Sequence, residues 1–175
     1  TKQPDAEDLS GEVNSYVSST HNGDGLNYGI NGHINIPISD DVAIRLVGYQ
    51  YDNDGFVDVK GAFPKEDANT EDTAGGRFAL KWIVDESTML NFLYLNQRID
   101  IASEPRVSET LVLPSSSPIT IMPIDFSNPV DQDAVPHLVK DEIVSLKLEK
   151  EFDTFSLNLM AAKKSLADYR DSQQG

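Results

Sequence analysis

A run in which every second residue is apolar constrains a backbone more than composition does, and this chain carries one from Leu26 to Ile36. The even positions are Leu26, Tyr28, Ile30, Gly32, Ile34 and Ile36; between them lie Asn27, Gly29, Asn31, His33 and Asn35. Successive side chains of a strand point to opposite faces, so the pattern predicts a long strand with one apolar and one amide-rich face. Pro37 to Asp41 breaks the run, and Val42, Ile44, Leu46 and Gly48 begin a second one that reaches about Tyr51. Two long strands joined by a tight polar turn make a hairpin. A soluble sandwich would bury one face and put charge on the other. Asn, Gly and His opposite Ile, Leu and Tyr instead fit a wall with lipid on one side and a watery lumen on the other.

The same alternation recurs along the chain. Gly11 to Thr20 is a weaker strand, followed by a turn at His21 to Gly25 whose glycines supply turn conformations. Residues 52–72, rich in Asp and Glu and broken by Gly55, Gly61 and Pro64, form a loop. Thr73 to Val84 alternates again through Phe78, Leu80, Trp82 and Val84; Asp85 to Ser87 turns it; Thr88 to Arg98 follows with Leu90, Phe92 and Tyr94. A second long loop covers 99–139 and holds six prolines. A stretch that long without a pattern argues against a compact soluble domain unless it is functional. Lys140 to Glu151 and a run from Phe155 to about Ala161 form a last hairpin. From Lys163 onward the pattern is lost, and a fraying strand, a short helix and a disordered end all fit.

The connections are ordered. Counted from the first strand they run to about five, five, twenty, three, forty and three residues. In an up-and-down meander alternate connections lie at the same end, so one end has tight turns only and the other carries the large loops. Transmembrane β-barrels have this asymmetry, with short periplasmic turns and long outer loops. Aromatic residues near strand ends fit the girdles of such a wall: Tyr28, Tyr49, Tyr51 and Tyr94 toward the long loops, and Trp82, Phe152 and Phe155 beside the short turns.

Composition narrows the function classes. A formal charge of −15 opposes binding to a nucleic-acid backbone. With no cysteine there is no disulfide, thiol nucleophile or thiolate metal site, and the three histidines are too scattered for a metal cluster. No nucleophile with a base and an orienting group is apparent; Ser115-Ser116-Ser117 is a proline-flanked loop, so neither catalysis nor a cofactor is expected. No apolar run of about 18 residues is present, which excludes a membrane-crossing helix and says nothing of strands. The start at Thr1-Lys2-Gln3-Pro4 and the end at Gln173-Gln174-Gly175 both read as cuts, making the chain an internal piece of something longer.

Two stretches carry a family resemblance. NGHINIPISDDVAIRLVGYQYDNDGFVDV, Asn31 to Val59, resembles the first barrel hairpin of TonB-dependent outer-membrane receptors, and TAGGRFALKWIVDESTMLNFLYLNQ, Thr73 to Gln97, resembles the next. Thr1 to Pro4 looks like the end of the plug that precedes the barrel. The resemblance covers residues 1 to 98 and, in pattern only, the hairpin from Lys140 to Ala161. It implies an all-β, antiparallel up-and-down meander of about seven strands, an open segment of a 22-stranded transmembrane barrel. Residues 1–10 would be the end of the plug or a linker, 11–168 the partial barrel and 169–175 a tail. The implied activity is uptake of a scarce ligand (a siderophore, vitamin or glycan) across the outer membrane of a Gram-negative bacterium, with energy from TonB. Lipid and lipopolysaccharide, the TonB system acting through a plug, and a small-molecule ligand at the outer loops are the implied partners. The TonB box, most of the plug and the closing strands lie outside this sequence.

Other motifs have simpler readings. Asp52-Asn53-Asp54-Gly55 has the residue types of a calcium loop but not its full spacing, and a turn leaving a strand uses the same types. The acidic loops could bridge divalent ions to lipopolysaccharide or merely stay solvated. Arg45, Arg77, Lys81 and His33 lie on the polar phases of their strands and are expected to line the lumen; no ligand-binding residue can be singled out. The alternative is a secreted acidic β-domain binding glycan or calcium through its long loops. A smaller complete barrel fits seven strands poorly.

Overall fold

The computed structural model describes residues 2–21, 23–58, 65–103 and 136–170. They form seven strands: β1 (Ser10–Ser18), β2 (Asn27–Ser39), β3 (Val42–Asn53), β4 (Glu71–Asp85), β5 (Thr88–Ile101), β6 (His137–Glu151) and β7 (Ser156–Arg170). All lie in one sheet in the order of the sequence, each antiparallel to the next. The all-β meander is as expected, and the described residues include no helix.

The strands outrun the alternation that announced them. β7 continues through Lys163 and Lys164 to Arg170, in unbroken register with β6 back to His137, so the fraying, helical and disordered alternatives fall away as far as Arg170. Residues 171–175 lie outside the described residues. β2 runs through Pro37 and Ile38, with the register shift between Pro37 and Ser39, which leaves only Asp40-Asp41 as the turn. A proline is tolerated there because a bulge does not call on its missing N–H. Where loops are expected at 52–72 and 99–139, β3 runs to Asn53 and β4 begins at Glu71, and β5 runs to Ile101 and β6 begins at His137. In each case backbone pairing to the neighbour extends the ladder past the point where side chains stop alternating.

Connection lengths segregate as expected. The β2–β3, β4–β5 and β6–β7 turns occupy 40–41, 86–87 and 152–155, while the opposite end carries 19–26, 54–70 and 102–136. The β4–β5 turn is held by Asp85. Its carboxylate accepts from the Ser87 N–H at 2.8 Å, the Ser87 hydroxyl at 2.7 Å and the Thr88 hydroxyl at 2.9 Å. Those bonds, with Lys150 Nζ 3.5 Å away, hold the carboxyl well below the usual carboxylate range. A depressed folded-state value means stability that is present above about pH 4, the unfolded value, and is lost as pH falls toward the folded one. Asp85→Asn is therefore expected to flatten the acid limb of stability, measured by denaturant midpoints from pH 5 downward.

Register fixes the two faces. One carries Ile30, Ile34, Ile36, Ile44, Leu46, Phe78, Leu80, Trp82, Leu90, Phe92, Val144, Leu146, Leu148 and Leu159, joined as cross-strand neighbours. No second layer covers it among the described residues: Ile30 is 52% exposed, Leu146 49% and Leu159 52%. The other face carries Asn31, Arg45 and Arg77, and the fully buried Asn35, Ala43 and Ala79 lie there. The protein is thus inside out by the standard of a soluble sheet.

The apolar band has a slanted edge. Toward the long-loop end the first polar residue above it is Gln50 in β3, Asp72 in β4, Asn96 in β5, Glu142 in β6 and Lys163 in β7. Lys163 pairs with Val144, which pairs with Tyr94, which pairs with Phe78. The border thus falls by six positions along β4, from 72 to 78, across three strand spacings. At about 3.3 Å per residue and 4.8 Å per strand this is a slant of about 55°; taken from Gln50, level with Ala74, it is about 35°.

Candidate functional site

The polar face is the candidate site, and three features occupy it. The first is the lead-in to β1. Asn35, wholly buried, accepts from the Asp5 N–H at 2.9 Å and donates to the Asp5 and Asp8 carbonyls at 2.8 Å each. Arg77 Nη1 donates to the Lys2 carbonyl at 3.0 Å, and Pro4 is buried. Residues 2–9 therefore lie across β2, β3 and β4 on the polar side. An asparagine suits this position because one amide offers both donor and acceptor to a passing backbone.

The second feature is a group of tyrosines. Tyr49 and Tyr51 sit at odd positions of β3, on the polar face, and do not belong to a girdle on the apolar side with Tyr28. Tyr51 stacks on Tyr49, centroids 5.6 Å apart, and on Tyr16 of β1 at 6.2 Å. The rings lie over glycines. A Cβ on Gly29 would strike Tyr16 and come 2.6 Å from Tyr51; one on Gly75 would strike the Tyr49 hydroxyl and stand 2.8 Å from the Asn96 carbonyl. Rings laid over strand glycines restore the contact that the missing side chain forgoes. Gly75→Ala is expected to cost about 1–3 kcal/mol through overpacking, read as a lower denaturant midpoint at unchanged slope. Beside the rings opens a depression of about 530 Å³ lined by Tyr16, Asn31, Tyr51, Asn53, Glu71, Thr73, Gln97 and Ile99. The Tyr49 hydroxyl donates to Gln97 Oε1, a group on its lining, at 2.9 Å. Flat aromatic area with amides and one carboxylate at its rim suits a polar organic ligand with an apolar surface.

The third feature is basic. Arg45, Arg77, Lys81 and His33 all lie on the polar face, as expected from their strand phases. Around them are Asn35, Ala79 and Val47, and no strand acid is directly opposite any of the first three.

The remaining girdle residues divide by height. Tyr28 lies at the long-loop end of the apolar face, and its hydroxyl donates to Asp52 at 2.6 Å. Tyr169 of β7 lies at that same end on the same face. Tyr94 is mid-strand, not terminal. Trp82 and the stacked pair Phe152–Phe155, centroids 4.5 Å apart, lie at the short-turn end, all exposed.

The Asp52-Asn53-Asp54-Gly55 segment braces the outer connections. Asp54 N–H donates to Asn27 at 2.8 Å, Asn69 caps the Phe56 and Val57 N–H groups at 2.8 Å, and Asp24 N–H reaches Asp67 at 3.0 Å. Asp52, Asp72 and Asp100 stand side by side at the outer rim, yet no group of three acids or histidines among the described residues is placed to hold a metal ion. The Ser115–Ser117 run and most of the proline-rich loop lie outside the described residues.

The tyrosine group and the docked lead-in are what sequence reasoning missed. Parity was the available signal for the first: Tyr49 and Tyr51 share the phase of Arg45. The partner of Asn35, some thirty residues away in sequence, leaves no local signal. Comparison of the chain with protein-family models, with curated proteins and with solved structures returns no match.

Proposed function

We propose that this chain is a stretch of the wall of a TonB-dependent outer-membrane receptor, with its apolar face against lipid and its polar face toward a plugged lumen. In this reading the protein takes up a scarce ligand, such as a siderophore, vitamin or glycan, at the outer membrane of a Gram-negative bacterium, with energy from TonB. The observation that carries it is the slanted apolar band. A sheet cut from a tilted barrel meets a flat membrane obliquely, so the lipid border must cross the hydrogen-bond rows at the strand tilt. The slant of about 35–55° brackets the tilt of about 35–45° of such barrels. From Ala74 to Val84 the band runs ten positions of β4, about 33 Å along the strand and about 25 Å along the normal at 40° tilt, the height of a lipid-facing belt.

Three further features favour the same arrangement. The short and long connections lie at opposite ends. Tyr28, opposite Asp52, lies at one edge of the band, and Trp82, Phe152 and Phe155 lie at the other. The lead-in lies on the polar side, where a chain leaving a plug would enter the wall. The depression beside Tyr16, Tyr49 and Tyr51 then opens to the lumen near its outer mouth, where an incoming ligand would pass.

Fractionation of a Gram-negative host expressing the protein that carries this chain tests the reading. Recovery in the outer membrane, with a folded form that runs faster than the boiled one on a denaturing gel, is expected. Recovery as a soluble, monodisperse protein without detergent would point to the secreted acidic β-domain instead.

A further inference from the structure

On the polar face Glu12 stands opposite His33, but no strand acid stands directly opposite Arg45, Arg77 or Lys81. Arg45 is only 8% exposed, and its Nε, like that of Arg77, is buried without a hydrogen-bond partner among the described residues. The two arginines are diagonal neighbours across β3 and β4, Arg45 opposite Ala79 and Arg77 opposite Val47. Lys81 stands further along the same face of β4, past Ala79. Arg77 spends one N–H on the Lys2 carbonyl; Arg45 has no hydrogen bond or ion pair among the described residues. Two guanidiniums side by side, one of them buried, are costly unless an anion joins them, and the penalty for an uncompensated buried charge is several kcal/mol. This happens in a chain whose formal charge is −15, so cations are scarce and three of them have gathered here.

We infer that Arg45 and Arg77 form an oxyanion site on the polar face, between the strands and the lead-in, that takes a carboxylate or phosphate oxygen pair. Guanidinium forks bind such groups in two parallel N–H···O bonds, a geometry that an ammonium cannot supply. Asn35 and the Lys2 carbonyl hold the lead-in at the same place, so the bound anion also ties that segment to the wall. Nothing on the apolar face takes part in this site.

The anion can be a carboxylate side chain seated against this face or a free small anion, and the sign of a thermal shift separates both from an empty site. Arg45→Met keeps most of the stem and removes the charge. If the site holds an anion, the complete protein in detergent melts several degrees lower as Arg45→Met, and Arg45→Lys recovers only part of the loss. A rise in melting temperature of the unsubstituted protein with inorganic phosphate over chloride at equal ionic strength, absent in Arg45→Met, assigns the free anion. The same loss in Arg45→Met without a phosphate effect assigns a built-in carboxylate. A melting temperature unchanged or raised by Arg45→Met, with no phosphate effect, is the signature of an unpaired charge and overturns the site. Should Arg45→Met fail to fold, an experimental structure of the unsubstituted protein decides: oxyanion density about 3 Å from Arg45 Nε upholds the site, and a void there overturns it.

Discussion

With the apolar face against lipid, as proposed, Leu146→Arg is expected to destabilise the protein by about 2–4 kcal/mol, while Ser145→Arg, one residue away, stays within about 0.5 kcal/mol. Leu146 lies at the centre of the apolar stretch of β6 between Val144 and Leu148, paired with Phe92 on one side and Ala161 on the other. Ser145 pairs with Leu93 and Ala162 on the opposite face. In water the order would reverse or vanish, because Leu146 is 49% exposed and a half-exposed leucine exchanges for arginine at little cost. The size of the difference between the two variants therefore reports the medium against the apolar face. Denaturant unfolding from lipid vesicles measures it.

Asn35→Leu is expected to cost about 2–4 kcal/mol and to release the lead-in from the sheet. The substitution keeps the size of the side chain and deletes three hydrogen bonds at once, leaving the Asp5 N–H and the Asp5 and Asp8 carbonyls without their partners. Amide exchange at Asp5 should rise with it, and a protease should gain access between residues 2 and 9. Asn35→Asp separates the two halves of the interaction, since it keeps an acceptor for Asp5 N–H and loses both donations to the carbonyls. Its effect should fall on the same segment. Equal exchange at Asp5 in the parent and Asn35→Leu would show that the lead-in is held by Arg77 and Pro4 instead.

The architecture was legible because alternation reports a strand and its faces directly, and the meander follows from turn lengths. Ile30, Ile34, Ile44, Leu46, Leu80 and Leu90 fall on one face as their phases demand. Strand ends were less legible. The ladder of β6 with β7 holds Lys163 to Arg170 extended whether or not their side chains alternate. The tyrosine group was misplaced because height along a strand and face of the sheet are separate coordinates, and Tyr49 and Tyr51 satisfy the first for a girdle while failing the second. The lead-in's dock on Asn35 depends on a long-range backbone approach, for which an isolated asparagine among other amides carries no mark. Arg45 and Arg77 were placed on the correct face, but their adjacency needed the register of β3 against β4.

The claim that the apolar face lies against lipid has a direct measurement. The chain has no cysteine, so single cysteines at 143 to 148 of β6 can carry a nitroxide one at a time in the complete protein reconstituted in vesicles. Collision with oxygen, which concentrates in lipid, is compared with collision with a water-soluble nickel chelate. A period of two is expected, with positions 144, 146 and 148 favouring oxygen and 143, 145 and 147 favouring the chelate. Labels at 144, 146 and 148 that are open to the chelate, or immobilised and reached by neither reagent, would contradict it.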